Sequence, residues 1–152
     1  MKTIAMTLLG GALALSLASP ALAEPVVLEA TLAGANETGG GDPDGSGSFS
    51  VEIDAESGDV CYVLTAADIG AATAAHVHEG AAGKDGKPVL TLQVTGEDED
   101  VCLAAEPETL APIVAAPADY YVNVHSAAFP KGAIRGQLSA SGGEGGDDMG
   151  DM

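Results

Sequence analysis

The sequence predicts an all-β domain, an antiparallel Greek-key β-sandwich or barrel of about seven to eight short strands. Three observations predict it. Short runs alternate apolar and polar residues, the period of a strand with one buried face. Turn-forming residues separate these runs, with 21 Gly and 8 Pro in a chain of 152 residues, which leaves little room for long helices. There is no Trp and there are only 3 Tyr and 2 Phe, so Val, Ile, Leu and Ala must build the core.

The elements follow in order. Met1 to Ala23 reads as a secretory signal: Lys2 gives the positive start, Ile4 to Leu17 the apolar run, and Ala21-Leu22-Ala23 the small-x-small cleavage site. The apolar run is too short for a membrane anchor, so no membrane insertion is expected after cleavage. Residues 24–140 are expected to form the β-domain. Val26 to Leu32 is a first strand. Asn36 to Gly47 (NETGGGDPDGSG) is a turn-rich loop with no glutamate at the twelfth position of a calcium loop. Ser46 to Asp54 is a second strand, with Phe49, Val51 and Ile53 on one face. Ala55 to Gly58 turns the chain, and Asp59 to Thr65 returns as a hairpin partner. Thr73 to His78, Pro88 to Val94 and a short Val101 to Ala104 come next. Pro107 to Ala115 has room for a helical turn, with Pro112 limiting its length. Ala118 to His125 and Ala133 to Leu138 are the last strands. Residues 141–152 (SGGEGGDDMGDM) are expected to be a disordered, acidic, glycine-rich tail.

Charge excludes some functions. The formal net charge is −18, and all 23 acidic residues lie after the signal. Such a chain repels phosphates and anionic lipid, so no nucleic-acid partner is expected. It attracts cations. The signal implies a periplasmic or extracellular address, where Cys61 and Cys102 are expected to form a disulfide rather than a metal thiolate site.

The chain has 3 histidines: His76, His78 and His125. Two residues apart on a strand, His76 and His78 share a face, and Val77 takes the core-facing side. In the later strand Tyr120, Val122 and Val124 form the apolar face, and Tyr121, Asn123 and His125 the polar one. In the last strand Ile134 and Leu138 face in, while Ala133, Arg135 and Gln137 face out. Three imidazoles converge outside the core if the two histidine strands are neighbours. Imidazole suits copper and zinc, and three nitrogens with one open position is a familiar arrangement for either. The competing reading is three histidines that hydrogen-bond loop backbone. Serines near histidine, such as Ser126, lie in no nucleophile elbow. The Gly-rich loop Glu79 to Pro88 has no helix start after it to cradle a phosphate.

The segments HVHEGAAGKDGKPVLTL (His76 to Leu92) and YYVNVHSAAFPKGAIRGQLSA (Tyr120 to Ala140) resemble the CHRD domain family, named for repeats in chordin. The resemblance begins at Leu32, Gly34 and Glu37. It continues at His76, His78, Gly80, Gly83, Gly86 and Pro88. It closes at Tyr121, Val122, Asn123, His125, Phe129, Pro130, Gly132, Ile134, Arg135, Gly136 and Gln137. It implies an all-β domain and no established activity. A weaker resemblance is to copper–zinc superoxide dismutase, through His76, His78, His125 and Arg135. That family has a Greek-key sandwich, an outward-facing metal site and a disulfide. This sequence lacks the fourth, bridging histidine and a separate zinc set, so one copper on three histidines is the most that carries over. The form expected is thus superoxide dismutase-like or immunoglobulin-like.

The leading reading is a secreted or periplasmic CHRD-domain binding protein with a copper site at His76, His78 and His125, zinc being less favoured. Asn123, Arg135 and Glu79 are candidates to support those ligands. Arg135 would either guide an anion or act structurally, pairing with Asp or Glu or with backbone carbonyls near the Phe129-Pro130 turn. The alternatives are a superoxide dismutase-like copper enzyme, and a metal-free structural or adhesive module. The expected partner is a metal cation or an extracytoplasmic protein.

Overall fold

A computed structural model describes residues 24–142. The expected signal, residues 1–23, and residues 143–152 of the expected tail lie outside the described residues.

Every alternating run forms a strand. In chain order these are β1 (Val26–Ala33), β2 (Ser46–Asp54), β3 (Asp59–Ala67), β4 (Ala72–Glu79), β5 (Pro88–Leu92), β6 (Val101–Ala104), β7 (Tyr120–Ser126) and β8 (Ile134–Gln137). A two-residue β9 (Ser139–Ala140), which the pattern did not predict, pairs with β1. Periodicity fixes which side is buried: in β2, Phe49, Val51 and Ile53 enter the core, while Ser48, Ser50 and Glu52 stay exposed.

The strands form one antiparallel sheet in the order β5-β4-β7-β8-β1-β2-β3-β6. Phe49 and Leu64 from one half share a single core with Val77, Val122 and Leu92 from the other, so the sheet curls around its own apolar face. The chain just after β5 reaches across to β3. There the Thr95 N–H donates to the Leu64 carbonyl at 2.8 Å, and the Gln93 N–H to the Tyr62 hydroxyl at 2.9 Å. The curled sheet is therefore nearly a closed barrel, and the all-β antiparallel expectation holds.

The expected helical turn is longer than Pro112 suggested. It is α1 (Pro107–Ala115), nine residues with Pro112 inside. Pro107 sits at its start, where a missing N–H costs nothing. Leu110 and Ile113 are fully buried against the sheet, and that burial offsets the one ladder bond Pro112 cannot make.

Cys61 and Cys102 face each other across β3 and β6 and are joined, with 4.0 Å between Cα atoms. β6 is an end strand of only four residues, so this bond anchors it. Closing a loop of this size stabilises the fold by roughly 4 kcal/mol on the chain-entropy account. A Cys61→Ser, Cys102→Ser variant should lose about that much in urea unfolding. A loss below about 1 kcal/mol would show that β6 is held by other means.

Candidate metal centre

β4 and β7 are neighbours, as convergence of the histidines required. Their register pairs His78 with Tyr121, His76 with Asn123 and Ala74 with His125. Alternation then puts His76, His78, Tyr121, Asn123 and His125 on the face away from the core. β8 adds Arg135, opposite Asn123, and Gln137, opposite Tyr121.

This face is not open to solvent. Tyr121 and Asn123 are 3% exposed and Arg135 2%, where the alternation placed an outward polar row. Ala133, also expected to face out, instead joins the apolar core just ahead of β8. For Tyr121, Asn123 and Arg135 the side of the sheet was read correctly, but a second layer of loops covers it. One loop is the strap of residues 80–87 between β4 and β5. The Arg135 guanidinium donates to the Ala81 and Lys84 carbonyls at 3.2 and 2.5 Å, and to the Asp85 carboxylate at 3.1 Å. Gln137 donates to the Gly80 carbonyl at 2.7 Å and the Ala118 carbonyl at 2.6 Å. The Gly86 N–H reaches the Tyr121 hydroxyl at 3.3 Å. At Gly86 the strap passes so close to β4 that a Cβ would overlap the Glu79 carbonyl, so only glycine fits. The other loop follows β1. Its Asp42 N–H donates to the Ala133 carbonyl at 2.8 Å, and Thr38 donates to Asp85 of the strap at 2.7 Å. Arg135 thus takes the structural role, pairing with Asp85 as one form of that reading had it, while the carbonyls it meets belong to the strap and not to the Phe129-Pro130 turn. Its guanidinium also lies 3.4 Å from the Tyr121 ring centroid. Three of its N–H groups are bonded to the strap.

The three histidines come together beside this roof, and their ligand atoms all lie within 4.8 Å of one another. Two hydrogen bonds fix their tautomers. His78 Nδ1 stands 2.9 Å from the Gly86 carbonyl, and His125 Nδ1 stands 3.0 Å from the Pro130 carbonyl. A carbonyl only accepts, so each Nδ1 carries the proton and each Nε2 presents a lone pair. His78 Nε2 is buried and has no partner among the described residues. His125 Nε2 lies 3.4 Å from His76 Nδ1. Two nitrogens bonded to one ion at about 2.0–2.1 Å stand about 3.3 Å apart in a tetrahedral arrangement. That pair is already at this separation, and the third imidazole's ligand atom lies within 4.8 Å of both. His78 is further fixed by stacking on Tyr121, with centroids 4.8 Å apart and planes 4° from parallel.

Burial first, then the neighbouring His125 and His78, hold His76 below the ordinary imidazole value of 6.5. The unfolded chain therefore binds more protons just below pH 6.5 than the folded one. The stability contributed by neutral His76 is complete above that pH and is lost as pH falls below it. The metal-free chain should unfold at lower urea at about pH 5.5 than at about pH 7.5, and His76→Ala should flatten this dependence. An unchanged slope in the variant would place the effect elsewhere.

Of the supporting residues, Asn123 and Arg135 belong to the same buried layer, Asn123 directly opposite His76. Glu79 does not: it is exposed, one residue out of phase with His78, and its charge acts on Tyr120 on the other face. Three participants escaped sequence reasoning. Tyr121 stacks on His78, Asp85 ties the two loops together, and Glu37 lines a cavity of about 720 Å³ with His78, Asn123 and His125. Burial raises the Glu37 carboxyl above its usual range, against the opposing pull of Arg135 and Asn123. The only advance signal for Glu37 was its place in the opening Leu32-Gly34-Glu37 pattern.

A family model described as CHRD domain matches residues 28–138. No curated protein and no solved structure matches the chain.

Proposed function

We propose that this chain, which belongs to the CHRD domain family, is a secreted or periplasmic binding module that holds one copper ion on His76, His78 and His125. One observation carries the reading. Backbone carbonyls hold the Nδ1 protons of His78 and His125, which aims both Nε2 lone pairs into the cluster, and His78 Nε2 is buried with no partner among the described residues. A buried acceptor left this way costs about 1–3 kcal/mol, and a bound cation removes that cost. Carbonyl partners on the far ring nitrogens are also the usual way a protein orients metal-binding imidazoles.

Copper is preferred to zinc because a nitrogen site binds Cu²⁺ more tightly than Zn²⁺ in the general order of divalent affinities. The net charge of −18 raises the local cation concentration. The Cys61–Cys102 disulfide supports an oxidising compartment. No helix among the described residues is long and apolar enough to cross a membrane.

Electron paramagnetic resonance of the chain with one equivalent of Cu²⁺ tests the reading. Hyperfine splitting from three imidazole nitrogens is expected. An all-oxygen spectrum would assign the copper to surface carboxylates and leave a metal-free interaction module.

A further inference from the structure

We propose that the copper centre takes a small protic ligand in its open position, a water, ammonia or primary amine, and turns anions away. This rests on the copper reading above.

The cavity beside the histidines is lined by His78 and His125 and by Glu37 and Asn123. Besides His78 Nε2, two of its lining residues carry buried atoms with no partner among the described residues: Glu37 Oε1 and Asn123 Oδ1. Both are acceptors. A ligand with N–H or O–H groups satisfies them, and an acceptor-only anion leaves both unpaired.

The carboxyl is held in place by its surroundings. Gly132 lies against it with φ +142°, and a Cβ there would stand 2.2 Å from Glu37 Oε1. Gly41 gives the same room at Glu37 Cγ, where a Cβ would come within 2.9 Å. The loop that carries Glu37 is tied down next door, through Thr38 to Asp85 and from Asp85 to Arg135.

Charge points the same way. The cavity lining contains Glu37 and Asp85 against a single cation, Lys131, which is exposed. Arg135 does not line the cavity: three of its N–H groups are bonded to the strap, and its pull on Glu37 is outweighed by the burial of that carboxyl. An anion on the metal would therefore meet a fixed carboxylate in a partly dry pocket, where like-charge repulsion is least screened.

The test uses the full chain with one equivalent of Cu²⁺ at about pH 8, well above the ordinary carboxylate range. Methylamine and azide are titrated separately while the copper absorption band is followed. The ratio of methylamine to azide affinity should exceed, by at least tenfold, the same ratio for Cu²⁺ in free imidazole. Glu37→Gln should leave the copper stoichiometry unchanged and raise azide affinity at least tenfold. A wild-type ratio no higher than that of the imidazole complex would overturn the proposal, as would an azide affinity that Glu37→Gln does not move. The wild-type ratio decides alone if the variant does not fold. A wild-type chain that takes up no copper removes the metal reading and this one together; copper uptake with azide preferred removes only this one.

Discussion

Arg135→Met is expected to destabilise the domain by about 3–5 kcal/mol. The guanidinium is 2% exposed and makes three hydrogen bonds to the strap. The bond to Asp85 contributes little, because that carboxylate is 72% exposed and solvent screens it. The two carbonyl bonds are different: they are charge-assisted and each is worth about 1.5–3 kcal/mol. The contact with the Tyr121 ring adds on the order of 1–2 kcal/mol when desolvated. Methionine keeps much of the volume and none of these bonds, so the loss is polar rather than a cavity. Lysine should recover only a small part, since one ammonium cannot reproduce a planar fork aimed at two carbonyls and a carboxylate. Urea unfolding of the three proteins measures this. A loss below about 1 kcal/mol for Arg135→Met would mean that the strap is held by its other contacts.

His78→Ala should lower copper affinity at least a hundredfold, equivalent to about 2.7 kcal/mol of binding energy. Loss of an outer partner of a metal ligand typically costs about 10–100-fold, and a ligand itself should cost no less than the top of that range. His78 is the best prepared of the three. Its ring is pinned by the Gly86 carbonyl at one nitrogen and by Tyr121 across its face. The fold should survive the change. Removing the ring frees the Gly86 carbonyl, at a cost of about 1 kcal/mol, while the other strap contacts stay in place. Tyr121→Leu would separate orientation from ligation: affinity should fall by about 10–100-fold with the nitrogen count unchanged. Copper affinity within threefold of wild type in His78→Ala would contradict the assignment.

Much of this was legible in the sequence because strand periodicity reports directly on burial. Val77 between two histidines, and Val122 and Val124 around Asn123, told which side met the core, and the β4–β7 pairing then brought His76, His78 and His125 together. What period two cannot report is what lies over the other face. Tyr121, Asn123 and Arg135 carry polar atoms, which alternation places in water. Here they are buried because the strap and the loop after β1 cover them: Arg135 donates to strap carbonyls and to Asp85, and the Tyr121 hydroxyl accepts from the Gly86 N–H. Glu37 escaped for the same reason: its position depends on a loop folding back over β8, a contact far apart in sequence. Glu79 was misplaced by proximity in sequence, since adjacent residues on a strand point to opposite faces. Pro112 was read from local preference alone, and burial of Leu110 and Ile113 overrides it.

Whether the three histidines form one metal site is decided by a calorimetric copper titration. The full chain is compared with its His76→Ala, His78→Ala, His125→Ala variant, so that weak carboxylate sites are common to both. One tight equivalent is expected in the wild type and none in the variant. Equal uptake by the two proteins would contradict it, and would leave the histidines as part of the hydrogen-bonded layer beneath the strap.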